Sequence, residues 1–177
     1  LTAILAMLVM GYDWTTIQDG IANTVASAVP AALILLVVGM LISSWMASGV
    51  VPTMIFYGIK IISPKFFLAS TVIICSIVSS AIGSSWTTAA TVGIALMGIG
   101  LSMGIPKEII AGAIISGSYF GDKMSPLSDT TNLASAVTGV DLYDHIKHML
   151  YTTTPSYIIS LILFQIINSR YVLEAAS

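Results

Sequence analysis

Gly121-Asp122-Lys123-Met124-Ser125-Pro126-Leu127-Ser128-Asp129-Thr130-Thr131-Asn132 is a densely polar run between two apolar ones, residues 109–120 and 133–140. Neither flank could cross a bilayer alone, because a spanning helix needs about 20 residues. Taken together from Lys107 to Gly139, the three parts read as one helix broken at membrane depth. Pro126 supplies the break, since it lacks an N–H and clashes with the preceding helical turn. An outside loop is the alternative, and it would leave two half-length helices. Three charges buried here would cost about 2.5–3.5 kcal/mol each, roughly 7–10 kcal/mol if simply summed. Their presence at that depth implies a use.

The composition of the whole chain agrees with a membrane setting. Of its 177 residues, 56% are hydrophobic and 8% charged, whereas a soluble domain carries about 25% charged residues. Mean hydropathy is +0.98, and the apolar residues fall in long blocks. The fold class expected is therefore all-α, a polytopic membrane protein whose first partner is the lipid bilayer. The net charge of −2 is scattered, which leaves no basic patch for nucleic acid. Cys75 is a single cysteine in an apolar block, and reads as a small buried thiol.

Working outward from the polar run, residues 1–10 read as a remnant helix and 11–27 as an interfacial helix with Trp14 at headgroup depth. Residues 29–48 form a charge-free span, 49–52 break it, and 53–63 lie along the interface. Residues 66–82 and 87–103 are two apolar segments joined by Gly83-Ser84-Ser85-Trp86. Residues 141–150 are amphipathic, 152–168 form the last span, and 171–177 are a polar linker. This divides one transmembrane domain, 1–177, into scaffold-like helices (1–63), a hairpin plus broken helix (66–140) and a last span (151–169). The chain reads as a fragment of a larger assembly. With these spans, Lys60, Lys65, Lys107 and Arg170 fall on one side and Lys147 on the other, as the excess of cytoplasmic basic residues requires.

The chemistry gathers in two places. At the break, Asp122 and Asp129 supply charge, while Ser125, Ser128, Thr130, Thr131 and Asn132 supply neutral oxygens. Unwound backbone is tolerated at membrane depth where it lines a cavity, and its carbonyls can then face a cation. An all-oxygen set suits a hard cation such as sodium, held through Asp122 and Asp129. At the hairpin, Ser84, Ser85, Thr87 and Thr88, with Ser79 and Ser80, surround one tight turn. They read either as helix-packing residues at an exposed turn or as a re-entrant tip meeting the broken helix. A carboxylate in low dielectric can be neutralised by a proton or by a bound cation. If both compete for one site, exchange follows from mass action. Asp129 is expected to be the primary cation ligand and Asp122 its partner. Lys123 is expected to hold one of them in a structural ion pair. Gly117/Gly121 and Gly100/Gly104, each four apart, permit close helix packing.

The run from Gly83 to Gly93, followed by Gly117-Ser118-Tyr119-Phe120-Gly121-Asp122-Lys123-Met124-Ser125-Pro126-Leu127-Ser128-Asp129-Thr130, resembles the sodium/proton antiporter family NhaC, which includes the malate/lactate antiporters. The likeness extends to Asp144-His145-Ile146-Lys147-His148-Met149-Leu150-Tyr151 and to Gly11-Tyr12-Asp13-Trp14. The resemblance implies a secondary active antiporter that exchanges cytoplasmic sodium for external protons in the plasma membrane of a prokaryote. It implies two inverted repeats, each with a re-entrant hairpin and a broken transmembrane helix, of which this chain would be the N-terminal one. The second half would be missing, and a homodimer would be usual. No cofactor is implied, since sodium and protons are the transported substrates. A sodium- and proton-coupled malate/lactate antiporter would share this half of the site.

Two other classes stay open from the residues alone. An intramembrane aspartyl protease would need one aspartate in a Tyr-Asp pair and another after Gly-x-Gly. Tyr12-Asp13 lies at a helix end, and Tyr119 stands where the first glycine would be. A passive cation channel would use the same ligand chemistry without coupling.

Overall fold

The computed structural model describes residues 11–175, together with Leu5 and Val9. Among the described residues it is helical with no strand. The helices are α1 (Trp14–Ala47), α2 (Val50–Ile61), α3 (Phe67–Ile82), α4 (Ser85–Ala90), α5 (Val92–Ser102), α6 (Lys107–Met124), α7 (Asp129–Thr138) and α8 (Leu142–Ala175), with a 3-10 turn at Pro64–Phe66 before α3. Among the described residues, two segments are long and apolar enough to cross a membrane, Pro64–Ile82 and Leu142–Tyr171. The remnant helix expected at 1–10 lies outside the described residues apart from Leu5 and Val9.

The chain divides into two compact units, Leu1–Met40 and Leu41–Ser177. In the first, Asp13 caps α1. Its carboxylate accepts from the Trp14 amide at 2.9 Å and from the Thr15 hydroxyl. Those two bonds, the Thr15 hydroxyl foremost, hold the Asp13 carboxyl below its ordinary pKa. Asp13 is exposed. It therefore has the ordinary role of a helix N-cap.

The second unit is built around the pair α3 and α6. Gly117 and Gly121 lie one turn apart on α6. A Cβ at Gly117 would collide with the Val72 carbonyl oxygen, and one at Gly121 with the Ser76 carbonyl oxygen. The two backbones thus touch, which only a small-residue stripe allows. Phe67, Leu68, Val72 and Cys75 of α3, Leu96 and Ile99 of α5, and Ile110, Ala113 and Ile114 of α6 form the core. Gly100 joins this packing, since its Cβ would meet Ile110 Cδ1 at 2.5 Å and Phe67 Cε1 at 2.7 Å. Its sequence partner Gly104 does not. Gly104 has φ +77° and open space around it, and serves the turn after α5 instead. Helix α2 docks on α5 through two reciprocal glycines, Gly58 under Ile99 and Gly98 under Ile55.

Three expected boundaries move. The interfacial helix and the first span merge into α1. The amphipathic segment and the last span merge into α8, which runs through Pro155. Residues 171–175, expected as linker, continue that helix. A proline removes one helical hydrogen bond, about 3 kcal/mol in an isolated helix, but neighbouring packing and nearby hydroxyls can keep such a helix continuous in a membrane protein. In the other direction, the segment expected at 87–103 is split. Thr91 has φ −113° and ψ −86°, outside the helical region, and its hydroxyl donates to the Thr87 carbonyl at 2.7 Å.

Asn168 is fully buried in α8 and clamps the start of α3. Its Oδ1 accepts from the Leu68 amide at 3.3 Å, and its Nδ2 donates to the carbonyls of Pro64 and Lys65, both at 2.9 Å. The helix N-terminal amide thus finds a partner where water is excluded. Asn168→Leu keeps the volume and strands these groups. It is expected to destabilise the full-length protein by about 2–4 kcal/mol, read as a lower thermal midpoint in detergent. An unchanged midpoint would refute the clamp.

Candidate functional site

The hairpin turn forms because α3 ends on Gly83, whose φ of +77° is a left-handed conformation that suits glycine. Ser84 then caps α4, its Oγ accepting from the Thr87 amide at 3.3 Å and the Thr87 hydroxyl at 3.1 Å. The Thr88 hydroxyl turns back to the Ser84 carbonyl at 3.0 Å. Ser84, Thr87 and Thr88 therefore spend their oxygens within the hairpin. Ser85, one residue on, is buried and points across to α6.

The break in the second segment also follows from local rules. Ser125 precedes Pro126 and is extended, φ −85° and ψ 128°, as a residue before proline prefers. Its amide still reaches the Asp122 carbonyl at 3.1 Å. Ser128 restarts the helix as N-cap, accepting from the Thr131 amide at 3.4 Å. Asn132 donates to the carbonyls of Pro126 at 2.8 Å and Ser128 at 2.7 Å. The Ser128 and Thr130 hydroxyls bond to one another at 2.9 Å. Thr131, buried, faces the carbonyls of Asp122 at 3.5 Å and Lys123 at 3.4 Å.

Hairpin and break meet. The Ser79 hydroxyl donates to the Ser118 carbonyl at 2.6 Å, and the Ser80 hydroxyl to the Gly121 carbonyl at 3.2 Å. The Ser125 hydroxyl returns a bond to the Ser80 carbonyl at 2.7 Å. Gly83 sits directly on the break, where a Cβ would lie 2.6 Å from the Leu127 carbonyl carbon. Within this frame the Ser85 hydroxyl donates to Asp122 Oδ2 at 3.0 Å. Asp122 is only 7% exposed, and its Oδ1 has no hydrogen-bond partner. A cavity of about 350 Å³ opens alongside, lined by Ser85, Trp86, Ala89, Ile115, Ser118 and Tyr119.

The two aspartates differ sharply. Asp129 is exposed, and its Oδ1 accepts from the Thr130 amide at 2.8 Å. It occupies the first turn of α7, where an acidic side chain is stabilised by the helix dipole. Of the two carboxylates expected to share one ion, Asp122 is buried against Ser85 and Asp129 is exposed. The ion pair expected of Lys123 is absent, since its ammonium makes none among the described residues. Neighbours on a helix leave it about 100° apart. Lys123 therefore points toward α8 while Asp122 points toward α4. The contributions of Ser79, Ser80 and Ser118 across the helix pair follow from glycine spacing on α6. That spacing brings the helices close enough for hydroxyls to reach carbonyls.

A model of the Na+/H+ antiporter family matches residues 117–175. The chain is 52% identical to the Na(+)/H(+) antiporter NhaC of Alkalihalophilus pseudofirmus over 88% of its length. It is 48% identical to the malate-2H(+)/Na(+)-lactate antiporter of Bacillus subtilis over 96%, and 45% identical to the arginine/ornithine antiporter ArcD of Halobacterium salinarum over 94%. These matches cover 34%, 36% and 34% of the respective relatives, so the chain spans about a third of their length. No solved structure matches it. The matching family region takes in Asp122 and the break after it, and the identity to named antiporters extends through the hairpin that meets that break, so the chain belongs to the Na+/H+ antiporter family.

Proposed function

We propose that this chain supplies the cation and proton site of a secondary active antiporter, with Asp122 as the carboxylate for which sodium and protons compete. The observation that carries the reading is the state of that carboxylate. It is buried, steadied through one oxygen by Ser85, and free at the other. A proton or a sodium ion at Oδ1 would neutralise a charge that is costly at membrane depth. The hydroxyls of Ser85 and Ser118 offer oxygen chemistry of the kind sodium prefers. Sodium moving out as protons move in then follows from competition for one site, together with alternating access. In this reading the protein is a multi-pass component of a prokaryotic plasma membrane. The chain is one inverted repeat, in which α3 to α5 form a re-entrant hairpin and α6 with α7 a broken transmembrane helix. It works with the rest of the full-length protein and a second copy.

A second reading has support in the relatives. At nearly the same identity they are named for sodium/proton, malate/lactate and arginine/ornithine exchange. The shared element is antiport, so an organic solute is a possible co-substrate of the same carboxylate machinery.

The test is sodium-driven proton movement in proteoliposomes holding the full-length protein, followed as luminal pH after a sodium step. Wild type is expected to respond. Asp129→Asn is expected to keep exchange within about threefold of wild type, since its carboxylate only supports a helix start, an effect of roughly 0.3–1 kcal/mol. Loss of exchange in Asp129→Asn would return the cation site to Asp129. No sodium response in wild type would sink the sodium/proton reading.

A further inference from the structure

We propose that the groove between α6 and α8, centred on Lys123, is an anion subsite that takes a small carboxylate. It lies about 100° round α6 from the Ser85–Asp122 bond and shares Tyr119 with the cavity beside that bond. Ser116, Tyr119, Phe120 and Lys123 form one stripe of α6, and Thr153, Ser156, Tyr157 and Ser160 form the facing stripe of α8. Both follow the three- and four-residue spacing of a single helix face. The groove between them has a volume of about 250 Å³.

Its chemistry has one sign. Lys123 is its only charged residue, and no acidic side chain lines it. An ammonium has three N–H donors and no acceptor. The hydroxyls of Ser116, Thr153 and Ser160 make no hydrogen bond among the described residues. The Ser156 hydroxyl is spent on the Thr152 carbonyl at 3.0 Å. The Ser76 hydroxyl gives its single hydrogen to the Val72 carbonyl at 2.7 Å, so the Tyr157 hydroxyl donates to the Ser76 oxygen at 2.9 Å and is spent there. The Tyr157 ring stacks on Phe120 with centroids 3.9 Å apart, giving the groove a fixed apolar wall. A cation, several free hydroxyl donors and an aromatic wall ask for a ligand with one negative charge, more than one acceptor oxygen and a short carbon body. A carboxylate supplies all three. A halide would meet the charge and the hydroxyls but has no carbon body to lie against the Phe120–Tyr157 wall. A phosphate dianion would bring a second charge with no counter-charge.

The inference rests on the antiport reading for its purpose. It gives Asp122 a cation and Lys123 an anion on adjacent faces of one turn of α6, so a cation and an organic anion could load together. It stands or falls on a separate measurement. Full-length protein in detergent is assayed for ¹⁴C-labelled L-lactate binding by equilibrium dialysis, alongside sodium-driven proton exchange in proteoliposomes. Wild type is expected to bind L-lactate. Lys123→Gln weakens binding tenfold or more, and Lys123→Arg stays within about threefold of wild type. Thr153→Val, which removes one hydroxyl and no charge, weakens binding severalfold and guards against a fold defect in Lys123→Gln. Chloride in excess leaves binding in place. Lactate binding without proton exchange would sink the antiport reading and leave the subsite standing. Exchange without lactate binding, binding indifferent to Lys123→Gln, or displacement by chloride would each overturn the subsite.

Discussion

Asp122→Asn is expected to abolish sodium-driven proton exchange by the full-length protein, lowering the rate about 100-fold or more while leaving the protein folded. The asparagine keeps the size of the side chain, and its carbonyl can still accept the Ser85 hydroxyl that now reaches Oδ2 at 3.0 Å. What it loses is the ability to carry a negative charge or to take up a proton. A hydrogen bond or contact to a charged group is worth roughly 1.5–3 kcal/mol, and 1.36 kcal/mol is a factor of ten in rate. Removing the charge from a water-excluded cation site therefore reaches two orders of magnitude. The measurement pairs luminal pH traces with a size-exclusion profile and thermal midpoint for each variant. Ser85→Ala should give a smaller loss, on the order of tenfold, because it removes one neutral donor to the carboxylate. Full exchange in a folded Asp122→Asn protein would remove Asp122 from the cycle and place the carboxylate elsewhere in the full-length protein.

Gly121→Ala should have the second large effect, this time on the frame. The added Cβ would collide with the Ser76 carbonyl oxygen and lie 2.8 Å from Ser79 Cβ and from the Ser80 amide nitrogen. None of these is the flexible end of a long side chain, so α3 and α6 must part. Overpacking of this kind typically costs 1–3 kcal/mol, occasionally more. The same displacement pulls Ser80 from the Gly121 carbonyl and Ser79 from the Ser118 carbonyl. Exchange should therefore fall more than tenfold along with the thermal midpoint. Gly20→Ala is the control. Gly20 is helical with nothing within 4 Å of a built Cβ, so alanine there should be neutral, or stabilising by up to about 1 kcal/mol. A Gly121→Ala protein as stable and active as Gly20→Ala would show that the close approach is dispensable.

The sequence is informative where local chemistry decides the backbone. Pro126 after Ser125 and Gly83 before Ser84 each force a turn through short-range sterics and appear at their expected places, whereas Ser128, expected among the cation ligands, caps α7. The polar runs at 83–88 and 122–132 therefore stand out before any tertiary contact is known. Boundaries set by long-range packing are less legible. Nothing in Thr87 to Gly93 distinguishes a straight helix from one interrupted at Thr91. Nor does anything in 141–152 distinguish a separate amphipathic helix from the first turns of α8. The surroundings of the two aspartates are the least legible. Asp129 has more hydroxyls near it in sequence, but those hydroxyls serve caps and turns of their own. Asp122 looks plain in sequence, and gains its burial and its Ser85 partner only when α4 folds against α6.

The close seating of Gly83 on Leu127 has a consequence for how an ion could enter and leave. The turn after α3 and the break after α6 are tied by the Ser79, Ser80, Ser85 and Ser125 hydroxyls, and no side chain separates them. Prising them apart would sacrifice about four hydrogen bonds at once, each worth roughly 0.5–1.5 kcal/mol net and more if left unpaired in a dry interior. The cheaper trajectory keeps this knot intact and changes what faces it. In the proposed antiporter, α3, α4 and the end of α6 would then move as one body, and the gate would belong to the surface that slides past it.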